Sequence, residues 1–416
     1  MKVFKFGGAS VSTMERIRNA GAIIKSQPGK LLVVVSAMGK TTNALEKVIN
    51  AFCNGDAGNA LQLFEEIKKE HSLFAEELLQ KPLPELMDFY TEVEWLLHDK
   101  PVREYDYYYD QVVCVGELLS TLIVSRYLSS AGTENTWLDV RDYIRTDNNF
   151  RSAGIDWNTS ATKITGEMAL AFQQTDVVVT QGFIGATDEN ESTTLGREGS
   201  DYSAAVFASM LDAESLTIWK DVQGVMSADP KQYSAAQWIP ELSYKEVIEM
   251  SFYGAQVIHP KTIKPLQNKE IPLFVRSFLQ PADEGTIIHT RNGIQVPPII
   301  VYKQAQVLLE LNCKDFSFVN EGLTVELYHL FDSIKFTPNL TQNGATSIIC
   351  VVDDHPEKVA HLAHAASTLF EVQVRRNLLL LTIRHYNEGL LNELCKDRTI
   401  ILKQQTPETV QVLLQE

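Results

Sequence analysis

The chain has 416 residues, of which 53 are acidic and 37 basic, for a formal net charge of −16. Such a surface repels phosphate backbones and excludes a nucleic-acid-binding role, but local donors can still hold a small anion. With 44% hydrophobic and 22% charged residues the composition is globular, and the length implies two or three domains. No apolar run approaches the roughly 18 residues that span a bilayer. The opening MKVFKFGGAS lacks the apolar core of a signal peptide and reads as a first strand. The cysteines are Cys53, Cys114, Cys313, Cys350 and Cys395. They are odd in number, widely spaced and without a CxxC pair. That pattern argues against a disulfide framework or zinc site and for a reducing cytoplasm.

Residues 1–290 alternate short β-branched runs with helical patterns. Lys2–Phe6, Leu31–Ser36, Val177–Gln181 and Leu216–Trp219 read as strands; Met14–Ser26, Thr42–Phe52 and Gly116–Leu128 read as helices. The rhythm predicts an α/β domain with a mostly parallel sheet. Residues of about 55–110 are helix-rich (Ala60–Glu77, Pro84–Leu97) and end in the cluster Tyr105, Tyr107, Tyr108, Tyr109, a helical insertion whose tyrosines read as packing. A Pro- and Gly-containing boundary falls at Gln280–Pro298. Beyond it, Gln306–Leu311 (strand), Gly322–Phe331 (helix), Ser333–Thr337 and Ser347–Val352 (strands), Pro356–Leu369 (helix) and Leu378–Ile383 (strand) give βαββαβ, a ferredoxin-like unit. Glu388–Cys395 (helix), Thr399–Lys403 and Thr409–Leu414 (strands) look like an incomplete second copy. It lacks a final helix, and Pro298–Tyr302 could supply its leading strand.

Five stretches carry chemistry. In KFGGAS, between a strand and a helix, Gly7 and Gly8 let backbone N–H groups approach an anion, with Lys5 as a neighbouring cation. In VVVSAMGKTTN, Ser36 and Thr42 offer hydroxyls at a helix start, where anions bind or where the residues simply cap. TTLGREGSDYSAA packs hydroxyls, glycines, Arg197 and Asp201 into one turn, and Arg197 can grip a carboxylate with two parallel bonds. IWKDVQGVMSADPK delivers Asp221 to the carboxyl end of a strand, where open α/β sheets bind ligands. GAQVIHPKT contains His259, and a His-Pro pair after an apolar run reads as structural. Glu117 in GELLS, taken alone, reads as a helix-terminus carboxylate.

KFGGAS, SAMGKTTN, GELLS, LDVRDYIRTDNNF, TQGFIG, TTLGREGSDYSAA, DVQGVMSADP, ELSYKEVIEM and GAQVIHPKTI, in this order and over essentially the whole chain, resemble the aspartate kinases of the amino-acid kinase family. The resemblance implies a three-layer α/β/α kinase fold with a mostly parallel sheet over 1–290, followed by two ferredoxin-like ACT units. The first, 303–384, would be inserted in a second, incomplete one made of 298–302 and 385–416. It implies transfer of the γ-phosphoryl group of MgATP to the side-chain carboxylate of L-aspartate. That is the first step toward lysine, threonine and methionine. The resemblance also implies a cytoplasmic homodimer and an amino-acid effector at the ACT units, with no nucleic-acid or membrane partner.

By the same resemblance Lys5 and Asp201 are catalytic, with Lys5 on the transferring phosphoryl group and Gly7 and Gly8 cradling it. Ser36, Thr42, Glu117 and Arg197 hold aspartate, Arg197 on the α-carboxylate and Glu117 on the ammonium. Lys220, Asp221, Met226, Lys231 and Gln256 face ATP. Mg²⁺ rides on the phosphates and water, with no protein ligand assigned. Four features depart from the family pattern: Ala9 for a usual Thr, Gln256 for a frequent Lys, Met226 for a common aromatic, and a first ACT unit without its usual Ser-Glu pair. Two other readings are a catalytically weak amino-acid-sensing scaffold and another kinase of this fold. Lys5, Arg197, Asp201 and Asp221 oppose the first; TTLGREGSDY and the paired ACT pattern oppose the second.

Overall fold

The computed structural model describes residues 1–255, 257–291, 293–315 and 317–415. They form two compact units: Met1–Val225 with Trp238–Ile248 and Gln256–Ile294, and Met226–Gln237 with Glu249–Ala255 and Gln295–Glu416.

The first unit is built on an eight-stranded sheet. Its order is Glu241–Ser243, Thr286–His289, Leu273–Ser277, Ser215–Lys220, Lys2–Phe6, Leu31–Val35, Val177–Gln181, Thr136–Trp137. Every neighbouring pair is parallel except Leu273–Ser277 with Thr286–His289. The run Leu31–Val35 is buried at all positions, as a strand covered on both faces requires. Phe6 is in register with Val35 and Trp219, and Val35 with Gln181. Gly7, Ser36 and Gly182 therefore leave the sheet at one level, that of Lys220, the last residue of its strand. Chain order reverses around Lys2–Phe6, which opens a crevice at the carboxyl ends of the strands. The strands at 136–137, 241–243, 273–277 and 286–289 were not distinguished in the sequence. They are short, and 273–277 alternates buried and half-buried positions next to proline-rich turns.

The helical segment comprises Ala57–Leu79, Leu86–His98 and Tyr105–Val113, and Val115–Ser130 follows after Cys114. The sequence has no continuous apolar run of bilayer-spanning length, yet Tyr105–Ser130 forms a 26-residue helical stretch with a largely apolar window. By length and composition it could cross a membrane, but 83% of its most apolar window is buried within the fold. Gly116, Glu117, Ser120, Thr121 and Ser125 interrupt the apolar letters, so no continuous run is visible, and all five are buried.

The second unit is one antiparallel sheet in the order Leu340–Asn343, Ser347–Asp353, Ile299–Cys313, Phe370–Arg384, Thr409–Gln415, Ile400–Gln405. Two of its strands have 15 residues each. The expected strands at 298–302 and 306–311 are the two halves of Ile299–Cys313, separated by an irregularity between Lys303 and Gln306 with Ala305 at φ 51°. Phe370–Arg384 is similarly divided by Asn377 at φ 58°. One half of the sheet is a complete ferredoxin-like set with the helices Glu321–Ser333 and Pro356–Ala366. In the other half, residues 378–384 come first, then helix Glu388–Cys395 and strands Ile400–Gln405 and Thr409–Gln415. Residues 299–303 lie beside 378–384, in the closing rather than the leading place.

The expected strand Ser333–Thr337 is instead a helix end and a turn. Lys335 has φ 48°, and the buried Phe336 donates its N–H to Phe331 O at 2.9 Å. The alternation of Ile334 and Phe336 mimics a strand, but the helix terminus captures the segment, and pairing begins at Leu340.

Candidate functional site

Lys5 lies at the end of the first strand, only 9% exposed. Its ammonium is 2.7 Å from Asp201 Oδ1. Asp201 stands in the first turn of helix Gly199–Met210. That helix start is pressed onto the sheet at Gly182, where a Cβ would come within 2.7 Å of Ser200 Cα, so the TQGFIG and GREGSDY stretches lock together. The turn before the helix passes through left-handed backbone at Gly196 (φ 77°) and Glu198 (φ 55°), and Glu198 Oε2 accepts the N–H of His259 at 2.9 Å. His259 in turn caps helix Pro260–Asn268 by accepting the Lys261 N–H, so its work there is structural.

Gly8 meets the second turn without room for a side chain: a Cβ would lie 2.5 Å from Ala37 O. Gly8 O accepts the Gly39 N–H at 3.0 Å, and Ser36 donates its N–H to Phe6 O at 3.0 Å. Ser120 pins Ser36 from below by donating its hydroxyl to Ser36 O at 2.7 Å. Thr42 lies in the first turn of helix Thr41–Cys53.

Glu117, 3% exposed, accepts the Ala37 N–H on Oε1 at 3.2 Å. Its Oε2 is buried and has no hydrogen-bond partner among the described residues. Burial pushes this carboxyl up to about 8, against the pull of the Ala37 N–H and the Lys5 charge. Asp201 shifts the opposite way. Burial raises it, but the ammonium of Lys5 and the charge of Lys220 outweigh burial and hold it below the ordinary carboxylate value. Two buried carboxyls in one cavity are thus pulled in opposite directions: Asp201 toward the ionised form beside Lys5, Glu117 toward the protonated form by burial.

Lys5, Gly8, Ser36, Thr42, Glu117, Arg197 and Asp201 line one cavity of about 440 Å³. Arg197 is exposed there and makes no ion pair among the described residues. Gly7 is not part of the wall; a Cβ on it would meet Lys5 Nζ at 3.3 Å. Lys220 and Asp221 also lie outside the lining: Lys220 donates to Val257 O at 2.8 Å, and Asp221 is exposed. Met226 and Lys231 fall in the second unit, where Met226 is half-buried and Lys231 is exposed, its N–H donated to Asp229. Gln256 lies outside the described residues. Tyr109, expected only to pack, lines the cavity as well, together with Arg151, Phe183, Thr194 and Glu198, which the sequence did not single out. The tyrosine cluster and the RTDNNFR stretch were the visible signals for the first two.

The amino acid kinase family matches residues 1–277. Lysine-sensitive aspartokinase 3 of Escherichia coli is 30% identical over 358 residues, 84% of this chain and 78% of that one. An aspartokinase of Chlamydia trachomatis is 34% identical over 376 residues, 88% of this chain and 83% of that one. The chain spans only about a third of the bifunctional plant relatives, 32% of the maize aspartokinase/homoserine dehydrogenase 1 at 34% identity over 69% of this chain. The solved E. coli aspartokinase III with aspartate and ADP superposes with a TM-score of 0.83 at 26% identity, covering 100% of this chain and 96% of that one. The parallel α/β sheet followed by ACT-type antiparallel strands is the fold of these enzymes. The chain belongs to the amino acid kinase family and, within it, to the aspartokinases.

Proposed function

We propose that the chain transfers the γ-phosphoryl group of MgATP to the side-chain carboxylate of L-aspartate, giving 4-phospho-L-aspartate and ADP. The observation that carries this is the buried Glu117 oxygen without a partner in the same cavity as the Lys5–Asp201 pair. An α-ammonium is the ligand that such a carboxylate lacks. Arg197 receives the α-carboxylate, and Ser36 and Thr42 bond the side-chain carboxylate. The acceptor is already ionised at neutral pH, so no general base is needed, and catalysis rests on positioning and charge neutralisation. Lys5, held by Asp201, places a positive charge where negative charge builds on the phosphoryl oxygens. The N-terminus of helix Gly199–Met210 and the backbone at Gly7 and Gly8 favour the same charge. Lys220, Asp221, Met226, Lys231 and Gln256 belong to the nucleotide side of the reading.

Magnesium would arrive on the nucleotide. It prefers oxygen ligands and keeps much of its water, which suits a cavity offering single carboxylates. Among the described residues no group of three or more His, Cys, Asp or Glu is placed to hold a metal.

A coupled ADP-release assay with L-aspartate tests the reading: turnover is expected, and a rate no higher than that of Lys5→Ala would defeat it. Product analysis with aspartate, glutamate and UMP separates it from other kinases of the fold. We further propose a cytoplasmic homodimer formed through the ACT strands. E. coli aspartokinase III has been solved with lysine and aspartate in a T-state. Here the FTPNLTQNGATS segment lacks the Ser-Glu pair, so we expect weak or no inhibition when lysine or threonine is added to the same assay.

A further inference from the structure

The stretch RTDNNFR leads to a second arginine at the cavity. Arg151 lines the same wall as Thr194 and Arg197. Its backbone is left-handed, φ 64°, which costs a non-glycine residue energy and persists only when the surroundings enforce it. The enforcing group is Asp110, fully buried, which accepts the Arg151 N–H at 2.9 Å, the Thr194 N–H at 2.8 Å and the Thr194 hydroxyl at 2.7 Å. The side chain is steered separately. The guanidinium lies 4.5 Å from the centre of the Tyr109 ring and 5.7 Å from that of Tyr105, and its Nη1 is 3.0 Å from Asp106. Tyr109 is itself tied down by donating its hydroxyl to Glu46 at 2.8 Å.

Three cations line the cavity: Lys5, Arg151 and Arg197. Under the reading above, on which this inference rests, Lys5 is engaged by Asp201 and the phosphoryl group, and Arg197 by the α-carboxylate. The substrate's other carboxylate is then left with the two neutral hydroxyls of Ser36 and Thr42. We propose that Arg151 is a specificity-determining residue that recognises the side-chain carboxylate of the amino-acid substrate, with Asp110 as its positioning residue. The Asp106 partner is 54% exposed, so the guanidinium keeps donors free for a second carboxylate. Selection works by charge: a substrate with a neutral amide in place of the carboxylate forgoes the contact, while the α-carboxylate and ammonium contacts are common to both.

Calorimetric titration of the full chain with L-aspartate and with L-asparagine tests the proposal. The parent is expected to favour aspartate. Arg151→Met should lower aspartate affinity roughly 10- to 100-fold while leaving asparagine nearly unchanged, so the preference collapses. Arg151→Lys should restore part of it, and Asp110→Asn should weaken it with the KM for ATP unmoved. The Arg151 side chain is half exposed, so Arg151→Met is expected to fold, as circular dichroism would verify. An unchanged aspartate-to-asparagine ratio in Arg151→Met overturns the proposal, including the case where both affinities drop equally, which would place Arg151 on the α-carboxylate. Failure of the parent to bind aspartate at all would instead defeat the functional reading beneath it.

Discussion

The two units solve the problem of placing chemistry in opposite ways. The first joins parallel strands that start and stop together, so one level of the sheet collects Gly7, Ser36, Gly182 and Lys220 from distant parts of the sequence. The second shares long strands between two half-sheets, so its organisation depends on pairing partners rather than on strand ends. The turns that follow these strands are therefore specified locally, each by its own small residues, whereas the C-terminal sheet is specified by what lies across from each residue.

Substitutions can separate these regimes. The largest expected effect is Asp201→Asn, which leaves Lys5 without its counter-charge. Loss of about 10²- to 10³-fold in kcat is expected in the ADP assay, with the second unit intact by hydrogen exchange. Glu117→Gln should raise the KM for aspartate by roughly 100-fold, because a charged partner of the ammonium is lost. It should also stabilise the protein at high pH. The Glu117 carboxyl, ordinarily near 4.5, is raised to about 8 in the fold, so between those values the folded chain holds a proton that the unfolded chain has released. Stability from this group falls as pH rises through that window. The variant should melt above the parent at pH 8.5, with the gain shrinking toward pH 5. In the parent, the KM for aspartate should drop as pH rises toward 8, by up to about tenfold per unit.

In the second unit, Leu381→Ala removes a fully buried side chain and should cost about 2–5 kcal/mol. Because residue 381 sits on a strand common to both half-sheets, hydrogen exchange should accelerate in both, while the kinase sheet stays protected. If only one half responds, the shared-strand description fails. The smallest effect is a labelling pattern. Cys53 and Cys395 are half-buried, and Cys114, Cys313 and Cys350 are buried. A disulfide-exchange reagent should titrate two thiols in the native protein and five after denaturation, with Cys114 reporting on the first unit and Cys313 and Cys350 on the second.

The sequence disclosed the first unit's main strands and helices because each carries its own period and punctuation. KFGGAS and GREGSDY announced a site because small residues and charges crowd there beyond what a loop needs. Arg151 escaped notice and Tyr109 read as mere packing because their placement depends on Asp110 and Glu46, which are distant from them in the chain. Glu117 looked like an ordinary helix-start carboxylate until its surroundings showed that one oxygen lacks a partner. In the C-terminal sheet, the interruptions at Ala305 and Asn377 read as breaks between strands, although the strands continue through them. The turn at 334–337 read as a strand because two alternating hydrophobes cannot reveal a helix terminus.

The continuous strand Phe370–Arg384 bears on any attempt to shorten the protein. A chain cut after residue 384 would not leave a tidy remainder. It would strip Thr409–Gln415 from Leu378–Arg384 and expose a raw sheet edge carrying Leu378, Leu379, Leu380, Leu381 and Ile383. Such a border, long and apolar with unpaired backbone groups, recruits strands from other molecules. The last 32 residues thus cover that apolar edge with a partner strand, whatever they contribute to effector recognition.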